Sequence, residues 1–413
     1  MRRVVITGMG MLTPVGNDVK STWENLLQVK TGINRITAFD VSNHSVKIAG
    51  EVKDFHPETK YDPKTLKRLD RFVHFALAAT DEAIADSGID LEQHDRSRIG
   101  VIYGCGIGGL RVWEGEHIKF QKQGPSRVSP LLIPMMIPDM TAGYIAIHWH
   151  LGGPNYSTVS ACASGAHAIG DAFRMIRYGD ADAMITGGSE APLTPFALAG
   201  FSNMRALSRR NDEPHRASRP FDRDRDGFVM AEGAGTIVLE ELEFAKKRSA
   251  KIYAEIVGYG ATGDGYHMTA PAPGGEGARR AMARAIEEAG IKPQDIGYIN
   301  AHGTSTDLND KYEIKAIVDL FGDNARKLMV NSTKSMIGHM LGAAGAIESG
   351  VMIKSLQSGL FHPTMNLDNV DPECQGVDHI IGEIRERTVD YAISNSLGFG
   401  GHNASLCMKR YTE

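Results

Sequence analysis

Asn155-Tyr156-Ser157-Thr158-Val159-Ser160-Ala161-Cys162-Ala163-Ser164-Gly165 is the stretch on which the reading of this chain turns. Residues 155–159 have a strand pattern, and the residues after them open a helix predicted to run to about Tyr178. A cysteine at a helix start meets unpaired backbone N–H groups and the positive end of the helix dipole. That setting is expected to lower a thiol pKa from about 8.5 toward values where the thiolate is appreciable at neutral pH. Its neighbours Ser160, Ala161, Ala163 and Ser164 are small, so a carbonyl can come close to the sulfur. A buried structural cysteine is the competing reading, and the rest of the chain decides between the two.

Outward from this stretch, strand and helix alternate in both directions. Before it lie strand patterns at 3–7 and 99–103, a glycine turn at Gly8-Met9-Gly10, and helix patterns at 68–86 and 138–149. Beyond its helix come strands at 183–186 and 235–240. A second series repeats the rhythm with strands at 253–259, 296–301, 328–331 and 389–394 and helices at 276–290, 302–320 and 342–358. Such alternation argues for α/β layers with mixed sheets. Residues 1–250 and 251–413 read as two related α/β halves, with no low-complexity linker between them.

Composition narrows the classes. At 413 residues and 42% hydrophobic content, the chain can bury a sizeable core, and its net charge of -5 gives no basic field for nucleic acid. No apolar run approaches the ~20 residues of a membrane span. Met1-Arg2-Arg3-Val4 leads directly into a strand, which leaves no room for a signal peptide. The four cysteines form no CxxC pair, so a disulfide framework or zinc site is not expected and a reducing cytosol is. Two motifs read as decoys. Gly258-Tyr259-Gly260-Ala261-Thr262-Gly263 has dinucleotide spacing but no helix after it, and a substrate-side loop is expected there. Asp222-Arg223-Asp224-Arg225-Asp226-Gly227 starts like a calcium loop, but position twelve is Gly233, so a salt-bridged turn is expected.

Two histidines share the cysteine's setting. His302 follows the strand at 296–301 in Asn300-Ala301-His302-Gly303-Thr304-Ser305-Thr306. His339 follows the strand at 328–331 in Lys334-Ser335-Met336-Ile337-Gly338-His339. Open α/β sheets gather their sites at strand C-termini, so Cys162, His302, His339 and Lys334 are expected in one site.

These residues, with the opening Val4-Val5-Ile6-Thr7-Gly8-Met9-Gly10 and the closing Asn395-Ser396-Leu397-Gly398-Phe399-Gly400-Gly401, resemble the β-ketoacyl-acyl-carrier-protein synthases of the thiolase superfamily. The resemblance is to the elongating members that serve type II fatty-acid synthesis. Initiating members replace the second histidine by asparagine, and thiolases keep a second cysteine where Phe399 stands. His402 departs from the threonine more often found after the two glycines.

The resemblance implies duplicated thiolase-like units in a five-layer α-β-α-β-α sandwich. The 1–250 half would carry the nucleophile and the 251–413 half the histidines. It implies decarboxylating Claisen condensation with malonyl-carrier protein, with no cofactor. Cys162 would take the acyl group, with its backbone N–H and that of Phe399 as the oxyanion hole, while His302 and His339 polarise the malonyl thioester and Lys334 supports them. Asp310 and Glu313 would either orient Lys334 or a catalytic water, or brace their helix. Glu348 in an apolar helix demands a partner if buried. With Asn300, Ala301, Ser394 and Asn395 it is implied to hold a structural monovalent cation. Thr269, Thr304 and Thr306 would bind the pantetheine arm. Ile107, Leu132, Phe201 and Phe399 would line the acyl tunnel, Phe399 as its gate. Basic residues cluster at Lys64, Lys67, Arg68 and Arg71. An acidic carrier protein is expected to dock on Lys64, Lys67, Arg68 and Arg205. A homodimer is implied, in the cytoplasm, with no nucleic-acid or membrane partner.

Overall fold

The computed structural model describes residues 1–412. Its first half runs β1 (Val4–Leu12), α1 (Arg71–Ser87), β2 (Ile99–Gly104), α2 (Met140–Trp149), β3 (Asn155–Thr158), α3 (Ser164–Tyr178), β4 (Ala183–Glu190) and β5 (Gly233–Glu241). Its second half runs β6 (Ala254–Gly263), α4 (Glu276–Ala289), β7 (Ile296–Asn300), α5 (Asp307–Phe321) and β8 (Met329–Asn331). It ends with α6 (Ala344–Ser358), β9 (Asp378–His379), β10 (Tyr391–Gly398) and β11 (His402–Arg410).

These strands form one sheet in the order β9-β8-β7-β10-β11-β6-β1-β5-β4-β2-β3. Read outward from the middle, β1-β5-β4-β2-β3 and β6-β11-β10-β7-β8 are the same arrangement. In each, the first two neighbour pairs are antiparallel and the next two parallel. The halves join where β1 meets β6, antiparallel, at Val4↔Ile256. Helices α1 and α2 cover the outer face of the first half, α4 and α5 that of the second, and α3 and α6 pack together between them. The result is five layers, helix-sheet-helix-sheet-helix.

Sequence dictates the tight spacing of these layers. A Cβ on Gly8 would lie 2.2 Å from the Ala83 carbonyl oxygen, and one on Gly10 1.9 Å from that of Ala79. The missing side chains let α1 lie backbone to backbone on β1. Gly258 and Gly260 repeat the device, with would-be contacts of 2.0 and 1.9 Å to the carbonyl oxygens of Ala285 and Ala281 on α4. Two expectations are corrected here. Gly8 and Gly10 lie inside a strand rather than in a turn, and the 258–263 run belongs to β6 rather than to a loop. The acidic run at 222–227 does form an ion-paired turn, with Arg219 Nε 3.0 Å from Asp222 Oδ1. No helix among the described residues is long and apolar enough to cross a membrane.

The central pair α3 and α6 sets the site. The buried residues Ala166, Ile169, Gly170, Phe173 and Ile176 mark one face of α3 at helical spacing. α6 is buried on nearly all sides. Their N-terminal ends meet through glycines: a Cβ on Gly165 would come 2.8 Å from the Gly342 carbonyl oxygen, and one on Gly345 2.9 Å from the Ala166 nitrogen. The two halves therefore touch at the turn that carries Cys162.

Candidate active site

Cys162 occupies a short turn, Ala161–Ala163, between β3 and α3. Ala161 has φ 50°, the left-handed region that alanine avoids. Such strain persists only where neighbours over-determine the turn, and here they do. Ser164 Oγ donates to the Ala161 carbonyl at 2.7 Å and accepts from Ser160 N–H at 2.9 Å, while Thr158 Oγ1 donates to the Ser164 carbonyl at 2.7 Å. The Cys162 sulfur lies beside its own N–H and that of Phe399, and near the Lys334 charge. All three favour a thiolate, but burial outweighs them and pushes the thiol up to about 12. The lowered pKa expected of the helix start is thus overturned, because the turn is shut away from water.

His302 and His339 stand with ring centroids 5.2 Å apart and planes at 86°. Both are buried, and burial with the nearby Lys334 charge holds both imidazoles well below the usual range. They are neutral at pH 7. Lys334 Nζ is 3.3 Å from His302 Nδ1 and also pairs with Glu348 Oε1 at 2.5 Å. An ammonium can only donate, so His302 accepts at Nδ1 and carries its proton on Nε2. Glu348 remains pushed up to about 7 by burial in spite of that partner.

Glu313 does not reach Lys334. Its Oε1 and Oε2 accept from the His302 and Gly303 N–H groups, each at 2.8 Å, and Oε1 also accepts from Asn395 Nδ2 at 3.1 Å. Asp310 accepts from Phe221 N–H at 2.9 Å and lies 3.7 Å from Arg225. Glu313 thus holds the backbone that carries His302, and Asp310 that of Phe221. Glu348 Oε2, Asn300 Oδ1 and Ser394 Oγ are buried and find no hydrogen-bond partner among the described residues. Asn300 and Ser394 face each other in the β7–β10 register. Three orphaned oxygen acceptors fit a hard monovalent cation. Asn395 fits it less well through its side chain, whose Oδ1 already accepts from Ser405 Oγ at 2.7 Å.

One cavity of about 530 Å³ gathers Cys162, His302, His339, Ile107, Phe201, Phe399, Thr269, Thr304, Thr306 and Arg205. Thr304 and Thr306 are hydrogen-bonded to each other through their hydroxyls at 2.9 Å. Leu132 does not line it. It belongs to the short helix Leu132–Met136, which packs on Leu110–Gln123. Lys64, Lys67 and Arg68 are exposed but also stand outside the cavity wall. Arg71, which neighbours them in sequence, is instead paired with Glu232 at 2.9 Å.

Sequence reading missed two contributors. Phe228 packs edge-on to His339 at 5.3 Å and to Phe201 at 5.5 Å. Glu190, fully buried at the end of β4, accepts from the N–H groups of Gly106, Ile107 and Gly342 at 2.8, 3.1 and 3.0 Å. It ties the Ile107 loop to the turn after His339. An acid closing an apolar strand among glycines was the signal, since a buried carboxylate must find donors.

A duplicated α/β sandwich that sets a buried thiol against two neutral imidazoles defines a thiolase-like condensing-enzyme fold. Residues 1–245 match the family described as "Beta-ketoacyl synthase, N-terminal domain", and residues 253–368 match "Beta-ketoacyl synthase, C-terminal domain". The chain belongs to the β-ketoacyl synthase family. It is 52% identical over 410 residues to 3-oxoacyl-(acyl-carrier-protein) synthase 2 of Staphylococcus aureus (strain COL), covering 99% of each chain. It is 51% identical over 410 residues to the synthase of the same name from Synechocystis sp. (strain ATCC 27184 / PCC 6803 / Kazusa), covering 99% of this chain and 98% of that one. Among solved structures, a β-ketoacyl synthase from Burkholderia phymatum STM815 superposes with TM-score 0.93 at 38% identity, covering 100% of both chains. A type II PKS ketosynthase in complex with its acyl-carrier protein superposes with TM-score 0.91 at 32% identity, again over 100% of both.

Proposed function

We propose that this chain elongates fatty acyl chains by two carbons, condensing an acyl group held on Cys162 with malonyl-acyl-carrier protein in type II fatty-acid synthesis. The observation that carries the reading is a buried thiol sharing one cavity with two neutral imidazoles, one of them fixed as the Nε2–H tautomer. Cys162 sulfur attacks the acyl thioester carbonyl; the carrier's pantetheine thiol leaves and takes the proton that Cys162 gives up. The oxyanion points at the N–H groups of Cys162 and Phe399, and losing one such donor typically costs about 10²–10³ in rate. Malonyl thioester then binds with its carbonyl oxygen toward His302 and His339. Carbon dioxide departs, the electron pair stays as an enolate that the two N–H groups stabilise, and its carbon attacks acyl-Cys162. Cys162 leaves as the thiolate and takes a proton from solvent, and the β-ketoacyl product departs.

Thr269, Thr304 and Thr306 hydrogen-bond the pantetheine arm, and Ile107, Phe201 and Phe399 enclose the acyl chain, each buried methylene contributing about 0.8 kcal/mol. Asn300, Glu348 and Ser394, with Asn395 and the Ala301 carbonyl, would hold a monovalent cation, which would supply a fixed positive charge behind Lys334. The carrier protein docks on Arg205 at the cavity mouth and on the exposed Lys64, Lys67 and Arg68. Its KM is expected to rise with salt while that of small acyl thioesters stays constant. The halves 1–250 and 251–413 work as one unit. β3 is an edge strand, and Tyr156, Val159, Ile133 and Ile147 near it expose apolar surface, which suits pairing with a second copy in a homodimer. A cytosolic setting suits four unpaired, buried cysteines.

Two variants test the reading. Cys162→Ala and Cys162→Gln should both abolish condensation, while the glutamine amide, standing where an acyl thioester carbonyl would be, should leave or raise malonyl decarboxylation. Condensation surviving in either variant would sink the proposal.

A further inference from the structure

The two N–H groups that face the sulfur come from opposite halves of the molecule, one from the Cys162 turn and one from the Phe399 loop. No covalent connection sets their spacing. Gly400 and Gly401 take φ 85° and 74° in the turn that carries Phe399, a conformation open to glycine. The side chain of His167 bridges the two segments. His167 lies on α3, one turn beyond Ser164. Its Nδ1 is 2.6 Å from Ser160 Oγ, and the other edge of the ring faces the backbone carbonyl of Asn403. Ser160 is bonded into the strained turn through Ser164 Oγ, which also grips the Ala161 carbonyl. Asn403 pairs with Leu397 across the hairpin that holds Phe399, and its side chain donates to Asp264 at 2.7 Å.

A polar chain therefore runs from Ala161 through Ser164, Ser160 and His167 to Asn403. Gly398 also packs close to the Ser160 carbonyl, but that contact has no preferred direction, whereas the imidazole's hydrogen bond to Ser160 and its edge facing the Asn403 carbonyl do. Burial, helped by the His402 ring at 6.5 Å, pushes His167 down to about 4. The ring is neutral at pH 7, accepting from the Ser160 hydroxyl at Nδ1 and donating from Nε2 toward Asn403. His402 itself folds over Gly400 and neighbours the chain without joining it.

We propose that His167 is a positioning residue for acyl transfer: it latches the Cys162 turn to the Phe399 loop, so that both N–H groups converge on one thioester oxygen. The inference rests on the proposed acylation of Cys162. It separates two half-reactions, because malonyl decarboxylation depends on His302 and His339, which Lys334 and Glu313 hold independently of this chain.

The test compares the full-length protein with His167→Leu, His167→Gln and Ser160→Ala. Acylation by an acyl thioester is followed by intact mass, and malonyl decarboxylation by carbon dioxide release. Loss of convergence should slow acylation by roughly 10- to 100-fold in the leucine variant, with decarboxylation unchanged within measurement error. The glutamine variant, which can accept with its oxygen and donate with its nitrogen, should recover most of the rate. Removing one hydroxyl in Ser160→Ala should slow acylation by roughly 2- to 10-fold, and decides the matter should the leucine variant not fold. Wild-type acylation in both Ser160→Ala and a folded His167→Leu would overturn the latch. So would an equal fall in both half-reactions that glutamine does not relieve. A wild-type protein that condenses acyl and malonyl thioesters without ever carrying an acyl group would remove the reading beneath the latch, and the latch with it.

Discussion

Lys334 Nζ sits between His302 Nδ1, at 3.3 Å, and Glu348 Oε1, at 2.5 Å, and all three groups are buried. One ammonium therefore decides which nitrogen of His302 carries its proton. Lys334→Met should free Nδ1 to carry the proton in part of the population and take Nε2–H away from the malonyl oxygen. Malonyl decarboxylation should fall by about 10²-fold or more, with acylation of Cys162 much less affected. An unchanged decarboxylation rate in this variant would show that the tautomer does not matter.

Thiol chemistry gives an independent check on Cys162. Burial pushes its thiol up to about 12, so the thiolate fraction should rise about tenfold with each pH unit well below that value. Alkylation of Cys162 by iodoacetamide, followed by peptide mass, should climb across pH 7–9 without levelling. A plateau below pH 9 would mean that the nearby N–H groups and Lys334 outweigh burial after all.

Buried acids should contribute to the pH dependence of stability with an unusual sign. Burial raises the carboxyl of Glu82 from 4.5 to about 7, and that of Glu313 from 4.5 to about 6. An acid whose folded pKa lies above its unfolded value holds more protons when folded, so stability falls as pH rises between the two values. Neutral His167, His302 and His339 act in the opposite direction, since they take up protons only on unfolding, so the acid is read by difference. In urea unfolding, the stability of the wild type minus that of Glu82→Gln, a site remote from the cavity, should fall between pH 5 and pH 7. A difference that rises over this window would contradict the assignment.

Gly260 supplies a test of the fold. A Cβ there would meet the Ala281 carbonyl oxygen at 1.9 Å, a backbone atom with nowhere to go. Gly260→Ala should therefore abolish soluble folded protein or lower its melting temperature sharply, as should Gly10→Ala in the matching place against Ala79. A stable Gly260→Ala protein with unchanged melting would show that strand and helix are not locked backbone to backbone.

That pair of glycines also shows where sequence reading succeeds and where it stops. Alternating strand and helix, and reactive residues just past strand ends, placed Cys162, His302 and His339 correctly relative to the sheet, because strand direction alone decides which end they reach. Local spacing could not distinguish a glycine needed for a turn from one needed for helix contact, since the contact partner, Ala79 or Ala281, is far along the chain. The same limit applies to Glu190, whose donors come from 106–107 and 342. The thiol's pKa escaped for a related reason. A helix start is visible in sequence, but the depth of burial that outweighs it is not.

The most direct measurement is a pulse and chase on the wild-type protein. It is charged with an acyl thioester, digested and mapped by mass spectrometry, and a parallel charged sample receives malonyl-carrier protein. The acyl group should be found on Cys162, then disappear into a β-ketoacyl thioester two carbons longer, with one carbon dioxide released per product. An acyl group on Cys105, Cys374 or Cys407 instead, or one on Cys162 that malonyl-carrier protein never removes, would contradict the account.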